Sequence, residues 1–158
     1  MRKKIRPFVI SVFIALAVGG ISALITMNSM DLYSEIEPPP LAPPSWLFPV
    51  VWTILFVLMG VGAALVYNQR ETKPDETKNA LIIYAVNLIL NFFWSIIFFN
   101  FEAYLFAYIW LILLWLVIIA MIVSFRKVST LAAYLQIPYL IWVTFAGYLN
   151  LAIYILNS

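Results

Sequence analysis

The sequence predicts an all-α membrane protein, a single bundle of five transmembrane helices with a proline-rich loop between the first two. Composition is the first indication: 65% of the 158 residues are apolar and 10% are charged, whereas soluble domains have roughly 45–50% apolar and about 25% charged residues. The mean hydropathy is +1.02. The second indication is that the apolar residues form continuous runs of about 20, enough for a helix to cross the bilayer. A membrane β-barrel would instead show alternating residues.

Five such runs account for residues 1–158 as one domain, and none has an Asp, Glu, Lys or Arg in its interior. The first run is longer than the roughly 7–15 residues of a signal-peptide core, so we interpret it as a span. Pro7 is well placed to start the first helix, and Pro138 is expected to kink the last one. We predict spans at about 7–27, 46–67, 79–99, 103–125 and 131–156.

The four connections differ in character. The first, 28–45, is the longest, and its five prolines are incompatible with a regular helix along its length. The second, 68–78, is polar and charged. The third is a tight turn at 100–102, and the fourth, 126–130, is short, so spans three to five must be antiparallel neighbours.

The charges predict the orientation. All nine Lys and Arg residues fall before the first span or in the second and fourth connections, which five spans place on one side. Because basic residues concentrate on the cytoplasmic side, we expect a multi-pass cell-membrane protein whose N-terminus is cytoplasmic. The proline-rich loop and the C-terminus are then external.

The residue types limit the chemistry. The chain has no Cys and no His, so thiolate and imidazole metal sites are excluded and we expect no metal centre. No ionisable residue lies inside a span, which argues against acid–base catalysis and proton relays. The polar groups that remain within the spans are amides, hydroxyls and indoles.

Polar residues form a stripe on the third span. Asn87, Asn91 and Ser95 recur every four residues and share one helix face, with Trp94 beside them. A polar stripe in lipid points inward. Hydrogen bonding between helices and contact with a ligand both remain open for these residues.

Tryptophans extend this pattern. Trp46 fits an interfacial belt, whereas Trp52 lies about 9 Å deeper, where its N–H needs a partner. Trp110 and Trp115 are expected to pack against neighbours or lipid. The last span aligns Trp142 on one face with Ala146, Leu149 and Asn150.

Most of these groups fall in the external half of the membrane. Aromatic walls with a few amides suit a flat hydrophobic ligand, although a purely structural aromatic core has the same composition. The candidate ligand-binding residues are Trp52, Phe56, Asn87, Asn91, Trp94, Trp142, Ala146, Leu149 and Asn150.

Small residues recur on the first span at four-residue spacing: Ser11, Ala15, Gly19 and Ala23. Such a stripe lets another helix approach closely. Packing within the bundle and a dimer interface are both compatible with it.

Several motifs, in order along essentially the whole chain, resemble the TspO/MBR family. They are Pro43-Pro44-Ser45-Trp46 with Val51-Trp52-Thr53 and Met59-Gly60, then Asn91, Trp94 and Phe98-Phe99, then Leu131-Ala132-Ala133-Tyr134, and finally Pro138-Tyr139, Trp142, Ala146 and Leu149-Asn150.

The resemblance implies a five-helix bundle that binds tetrapyrroles and benzodiazepine- or isoquinoline-type ligands among its helices, beneath the first loop. Trp52, Asn91, Ala146 and Leu149 match pocket positions of the family, and Trp142 matches a tryptophan associated with porphyrin chemistry. A homodimer is common in the family.

We therefore expect a sensor or regulator that binds protoporphyrin IX or a related tetrapyrrole non-covalently. Its partners are this ligand, the lipid bilayer and a second copy of the chain, with no nucleic acid. One alternative is a light-dependent protoporphyrin-degrading enzyme in which Trp52 and Trp142 take part. The other is a transporter of tetrapyrroles or other hydrophobic ligands.

Overall fold

The computed structural model describes residues 2–26, 41, 43, 44 and 46–157, within which all regular structure is helical. The helices are α1 (Arg2–Thr26), α2 (Leu47–Tyr67), α3 (Pro74–Ser95), α4 (Tyr104–Arg126), α5 (Thr130–Tyr134) and α6 (Ile137–Leu156), and a π-helical segment, Ile96–Asn100, extends α3. They form five segments long and apolar enough to cross a membrane, the fifth made of α5 and α6. The predicted fold class is confirmed. The predicted proline-rich connection, 28–45, lies outside the described residues except at positions 41, 43 and 44.

The third span begins at Pro74, earlier than the predicted residue 79. Proline is favoured in the first turn of a helix because its missing N–H would be unpaired there in any case. Asp75 and Glu76 follow in the same turn, where carboxylates interact favourably with the helix dipole. The apolar run therefore marked only the part of the helix that lies in hydrocarbon.

The first helix also extends outward beyond its apolar run. It begins at Arg2 and contains Pro7 in its interior, so the prediction that Pro7 starts the helix is wrong. The first four N–H groups of any helix lack an intrahelical partner. Pro7 is the sixth residue of the helix and lies just beyond these groups, so it removes one intrahelical hydrogen bond close to the helix end.

The last span is interrupted at Leu135 and Gln136, where α5 ends and α6 begins. Pro138 lies in the first turn of α6, so the break occurs where the sequence predicts a kink. The Oγ of Ser129 caps α5 by accepting a hydrogen bond from the N–H of Ala132 at 3.2 Å.

A tight turn joins the third and fourth spans, as predicted. The N–H of Phe101 donates to the carbonyl of Ile96 at 3.2 Å, and the N–H of Ala103 donates to the carbonyl of Ile97 at 3.2 Å. Between them, Glu102 has a φ of 52°. This left-handed residue closes the helix end and lets the chain reverse into α4.

The first helix packs chiefly on α2, and small residues make this possible. A Cβ added to Gly60 would lie 2.6 Å from the Cα of Val12, and the Oγ of Ser11 donates to the carbonyl of Gly60 at 2.6 Å. Gly19 lies against the ring of Phe56. The small-residue stripe thus serves packing within the bundle.

The two ends of the bundle differ in charge. We call the end where α1 and α6 finish, at Thr26 and Leu156, the loop end. The opposite end, where α2 and α4 finish, is the basic end, because it carries Arg70, Lys73, Lys78, Arg126 and Lys127.

Candidate ligand-binding site

A cavity of about 130 Å³ lies at the loop end, enclosed by α1, α2, α3 with its π-helical extension, and α6. Its walls are mostly aromatic and aliphatic, and no ionisable side chain of the described residues lines it. An engineered cavity of about 150 Å³ holds one benzene molecule. A larger ligand therefore has to extend through the mouth or displace a wall.

Most of the predicted site residues meet at this cavity. Those that line it are Trp52, Phe56, Asn91, Trp94, Trp142, Ala146, Leu149 and Asn150. Both tryptophans considered for porphyrin chemistry are among them. The predicted residues that line the cavity lie in the half of the bundle where the sequence predicts the site. Their role in ligand binding stays a prediction.

Asn87 does not line the cavity, although it was predicted as a ligand-binding residue. It is 0% exposed, and its Oδ1 accepts a hydrogen bond from the Oη of Tyr139 at 2.6 Å. Its Nδ2 contacts the Sδ of Met59 at 3.7 Å. Asn87 therefore joins α3 to α6 and α2, which is the packing role for a polar residue within lipid.

Asn91, one turn further along α3, belongs to both the network and the cavity. Its Nδ2 donates to the Oη of Tyr139 at 2.7 Å, while its side chain also lines the cavity. Asn91 thus combines hydrogen bonding between helices with a position on the cavity wall, and its contact with a ligand stays a prediction.

Three further hydrogen bonds hold the walls of the cavity in place. The Nε1 of Trp94 donates to the Oδ1 of Asn150 at 3.1 Å, and the Nδ2 of Asn150 donates to the carbonyl of Tyr104 at 2.8 Å. The hydroxyls of Ser22 and Ser95 are hydrogen-bonded across α1 and α3. Every wall helix is therefore tied to another part of the bundle by a named contact.

Aromatic rings close the space between α2 and α6. Trp142 meets Phe48 edge to face with centroids 5.9 Å apart, and Trp52 meets Tyr139 in the same way at 6.3 Å. The Nε1 of Trp142 is buried without a hydrogen-bond partner among the described residues. A buried donor left unpaired costs free energy that a ligand acceptor can recover.

Sequence reasoning missed the α1 wall and several aromatic residues. The missed lining residues are Gly19, Ser22, Ala23, Thr26, Phe48, Pro49, Phe98, Phe99 and Ile153, whereas Ser95, which also lines the cavity, belongs to the predicted polar stripe. The stripe containing Gly19 and Ala23 was seen, but small residues look the same whether they face a helix or a cavity. The available signal for the α1 wall was a pair of hydroxyl residues beside that stripe, Ser22 and Thr26, which lie one helical turn apart.

The other tryptophans lie away from the cavity. Trp46 is 66% exposed, as expected for an interfacial position. The Nε1 of Trp110 donates to the carbonyl of Leu90 at 2.7 Å, and that of Trp115 donates to the Oγ1 of Thr144 at 2.9 Å. Both hold α4 to its neighbours, in agreement with the predicted packing role.

Comparison with known proteins agrees with this architecture. A sequence profile described as the TspO/MBR family matches residues 11–156. The Tryptophan-rich protein TspO of Chlorobaculum tepidum is 37% identical over 158 residues, covering 99% of each chain. Protein CrtK of Rhodobacter capsulatus is 35% identical over 92% of this chain and 89% of its own. The Translocator protein of Ovis aries is 34% identical over 75% of this chain and 70% of its own.

The family profile spans residues 11–156, which include every candidate cavity residue, and the Chlorobaculum tepidum relative matches 99% of the chain. The chain belongs to the TspO/MBR family.

Proposed function

We propose that the protein is a membrane sensor or regulator that binds a flat hydrophobic ligand, a tetrapyrrole such as protoporphyrin IX, in the loop-end cavity. The observation that carries the proposal is a charge-free aromatic cavity in whose wall the indole N–H of Trp142 is buried and unpaired. Apolar walls with a few polar groups are typical of sites for such ligands. Benzodiazepine- and isoquinoline-type molecules share this flat aromatic chemistry.

The size of a tetrapyrrole sets a further requirement for binding in this cavity. A tetrapyrrole is several times larger than the single ring that a cavity of about 130 Å³ holds. Binding therefore has to displace a wall, and we take α1 as that wall because few hydrogen bonds join it to the third span at this level. It is held there by the Ser22–Ser95 pair and by a hydrogen bond of 3.4 Å from the Nδ2 of Asn100 to the carbonyl of Ile25.

Filling the cavity tests the proposal. Ala146→Phe places a phenyl group in the cavity, and we expect it to weaken protoporphyrin binding by at least about tenfold, or 1.4 kcal/mol. Binding is followed by quenching of tryptophan fluorescence in purified protein, and the variant retains all six Trp residues. Loss of quenching therefore reports loss of binding.

The matched control is Gly20→Phe. A Cβ added to Gly20 meets no atom within 4 Å, so this phenyl group enters lipid or detergent. Affinity should stay within about twofold of that of the unmodified protein. Equal affinity for protoporphyrin in the Ala146→Phe and unmodified proteins would place the ligand elsewhere.

Trp142→Phe tests the polar part of the site. It removes the unpaired N–H but keeps an aromatic ring. We therefore expect a three- to tenfold loss of affinity for ligands with a carbonyl acceptor, as for a neutral hydrogen bond of about 0.5–1.5 kcal/mol, and a larger loss for ligands with a carboxylate acceptor. An analogue without an acceptor should bind both proteins alike. The measurement is a titration that follows ligand absorbance, which does not depend on the number of tryptophans. An equal loss for both ligand types would show that only packing had changed.

A further inference from the structure

A groove of about 370 Å³ lies at the basic end between α3 and α4, on the opposite side of the membrane from the cavity. It is lined by Glu76, Asn79, Ile82, Ile83, Ser124 and Lys127. Residues at these spacings share one face on each helix. Because the groove opens on the outer surface of a membrane protein, its neighbours are lipids.

The chemistry of the lining residues changes with depth in the membrane in the same order as the groups of a phospholipid, from headgroup to ester to acyl chain. Glu76 and Lys127 are outermost, Asn79 and Ser124 lie three residues or about 4.5 Å deeper along their helices, and Ile82 lies about 4.5 Å deeper again. Charged groups thus occupy the headgroup level, neutral hydrogen-bonding groups the ester level, and apolar groups the level of the acyl chains. Ile82 is 52% exposed, so the apolar floor is open to a chain.

The two charges are available to a ligand. The carboxylate of Glu76 and the ammonium of Lys127 form no ion pair with each other or with another described residue. The Nζ of Lys73, at the start of α3, instead donates to the carbonyl of Lys127 at 3.0 Å. That bond joins the two helix ends and leaves the side chain of Lys127 facing a groove that holds one charge of each sign.

We propose that this groove is a binding site for a zwitterionic phospholipid with a primary-amine headgroup. Lys127 binds the phosphate and Glu76 accepts hydrogen bonds from the ammonium group, while Ser124 and Asn79 donate hydrogen bonds to the ester oxygens. A quaternary choline headgroup has the same charge but no N–H to donate. An anionic headgroup would bring its phosphate to Lys127 but leave Glu76 unpaired. The site is independent of the ligand cavity and of the function proposed for it.

Native mass spectrometry of the full-length protein in detergent tests this, using phosphatidylethanolamine, phosphatidylcholine and phosphatidylglycerol with identical acyl chains. We expect phosphatidylethanolamine to be retained at least about fivefold over phosphatidylcholine. Glu76→Gln should reduce that preference to below twofold, and Lys127→Gln should lower retention of both lipids. Ser124→Ala should weaken retention without changing any charge.

Glu71→Gln is the matched control, because Glu71 is an exposed carboxylate near the same end that does not line the groove. It should leave the preference unchanged, and circular dichroism should show the same helicity for every variant. Equal retention of the ethanolamine and choline lipids would overturn the proposal. A preference for phosphatidylglycerol that depends on Lys127 but not on Glu76 would overturn it too, because this would be general attraction to positive charge.

Discussion

Gly60→Ala is expected to destabilise the protein by about 2 kcal/mol, within the range of roughly 1–3 kcal/mol for forcing an extra group into a packed interface. The added Cβ would lie 2.6 Å from the Cα of Val12 and 3.0 Å from the carbonyl oxygen of Ser11. These are backbone atoms of α1, so no side-chain rotation relieves the clash. Helix α1 must move away from α2, which also breaks the hydrogen bond from Ser11 to Gly60. The free energy of unfolding in mixed micelles, followed by circular dichroism as SDS is added, measures the loss.

The same substitution at Gly20 is the control for Gly60→Ala. Its Cβ meets no atom within 4 Å, and alanine is favoured over glycine within helices by roughly 0.5–1 kcal/mol. Gly20→Ala should therefore be neutral or slightly stabilising. Equal unfolding free energies for the two variants would contradict the close contact of α1 with α2.

Tyr139→Phe should cost about 2 kcal/mol of stability, although it removes one oxygen atom. The hydroxyl donates to Asn87 and accepts from Asn91, so its loss leaves two buried amide groups without this partner. Each such group costs roughly 1–3 kcal/mol. Hydrogen bonds within membranes average nearer 0.6 kcal/mol, because the unfolded segments also find partners in the membrane. The same measurement of unfolding in mixed micelles determines where the total cost of Tyr139→Phe falls between these two estimates.

The control for Tyr139→Phe is Tyr134→Phe, at a residue that is 63% exposed, where the change should be within about 0.5 kcal/mol. The double variant Tyr139→Phe, Asn87→Leu provides a second comparison. Because it removes both ends of one hydrogen bond, its cost should be clearly less than the sum of the single costs. Strict additivity would mean that the two side chains do not interact.

The fold follows from the sequence because lipid imposes a simple rule: each long apolar run must be a helix with its own backbone hydrogen bonds. The rule fails at helix ends, where Pro74 and the carboxylates after it extend α3 outside hydrocarbon. There the boundary depends on the chemistry of the helix terminus. Hydropathy contains no information about it.

The site was less completely predictable. Residue type and four-residue spacing identified Asn91, Trp94 and the α6 face, because polar groups in lipid must face inward and these aromatic groups lie beside polar ones. The same spacing could not distinguish Asn87 from Asn91, since that difference depends on where Tyr139 arrives from another helix. Gly19 was recognised only as a packing residue, because a small side chain does not show whether a neighbour or empty space lies beside it.

The network around Tyr139 also determines the polarity of the cavity wall. A tyrosine hydroxyl has one hydrogen, and here it is donated to the Oδ1 of Asn87. The oxygen can then only accept from Asn91, which uses one of the two amide hydrogens of that residue. A serine hydroxyl can rotate to donate or to accept a hydrogen bond, whereas the oxygen and the nitrogen of the Asn91 amide are held in fixed positions. We therefore expect the buried arrangement on α3 and α6 to favour ligands whose donors and acceptors match the fixed positions of the oxygen and the remaining amide hydrogen of Asn91.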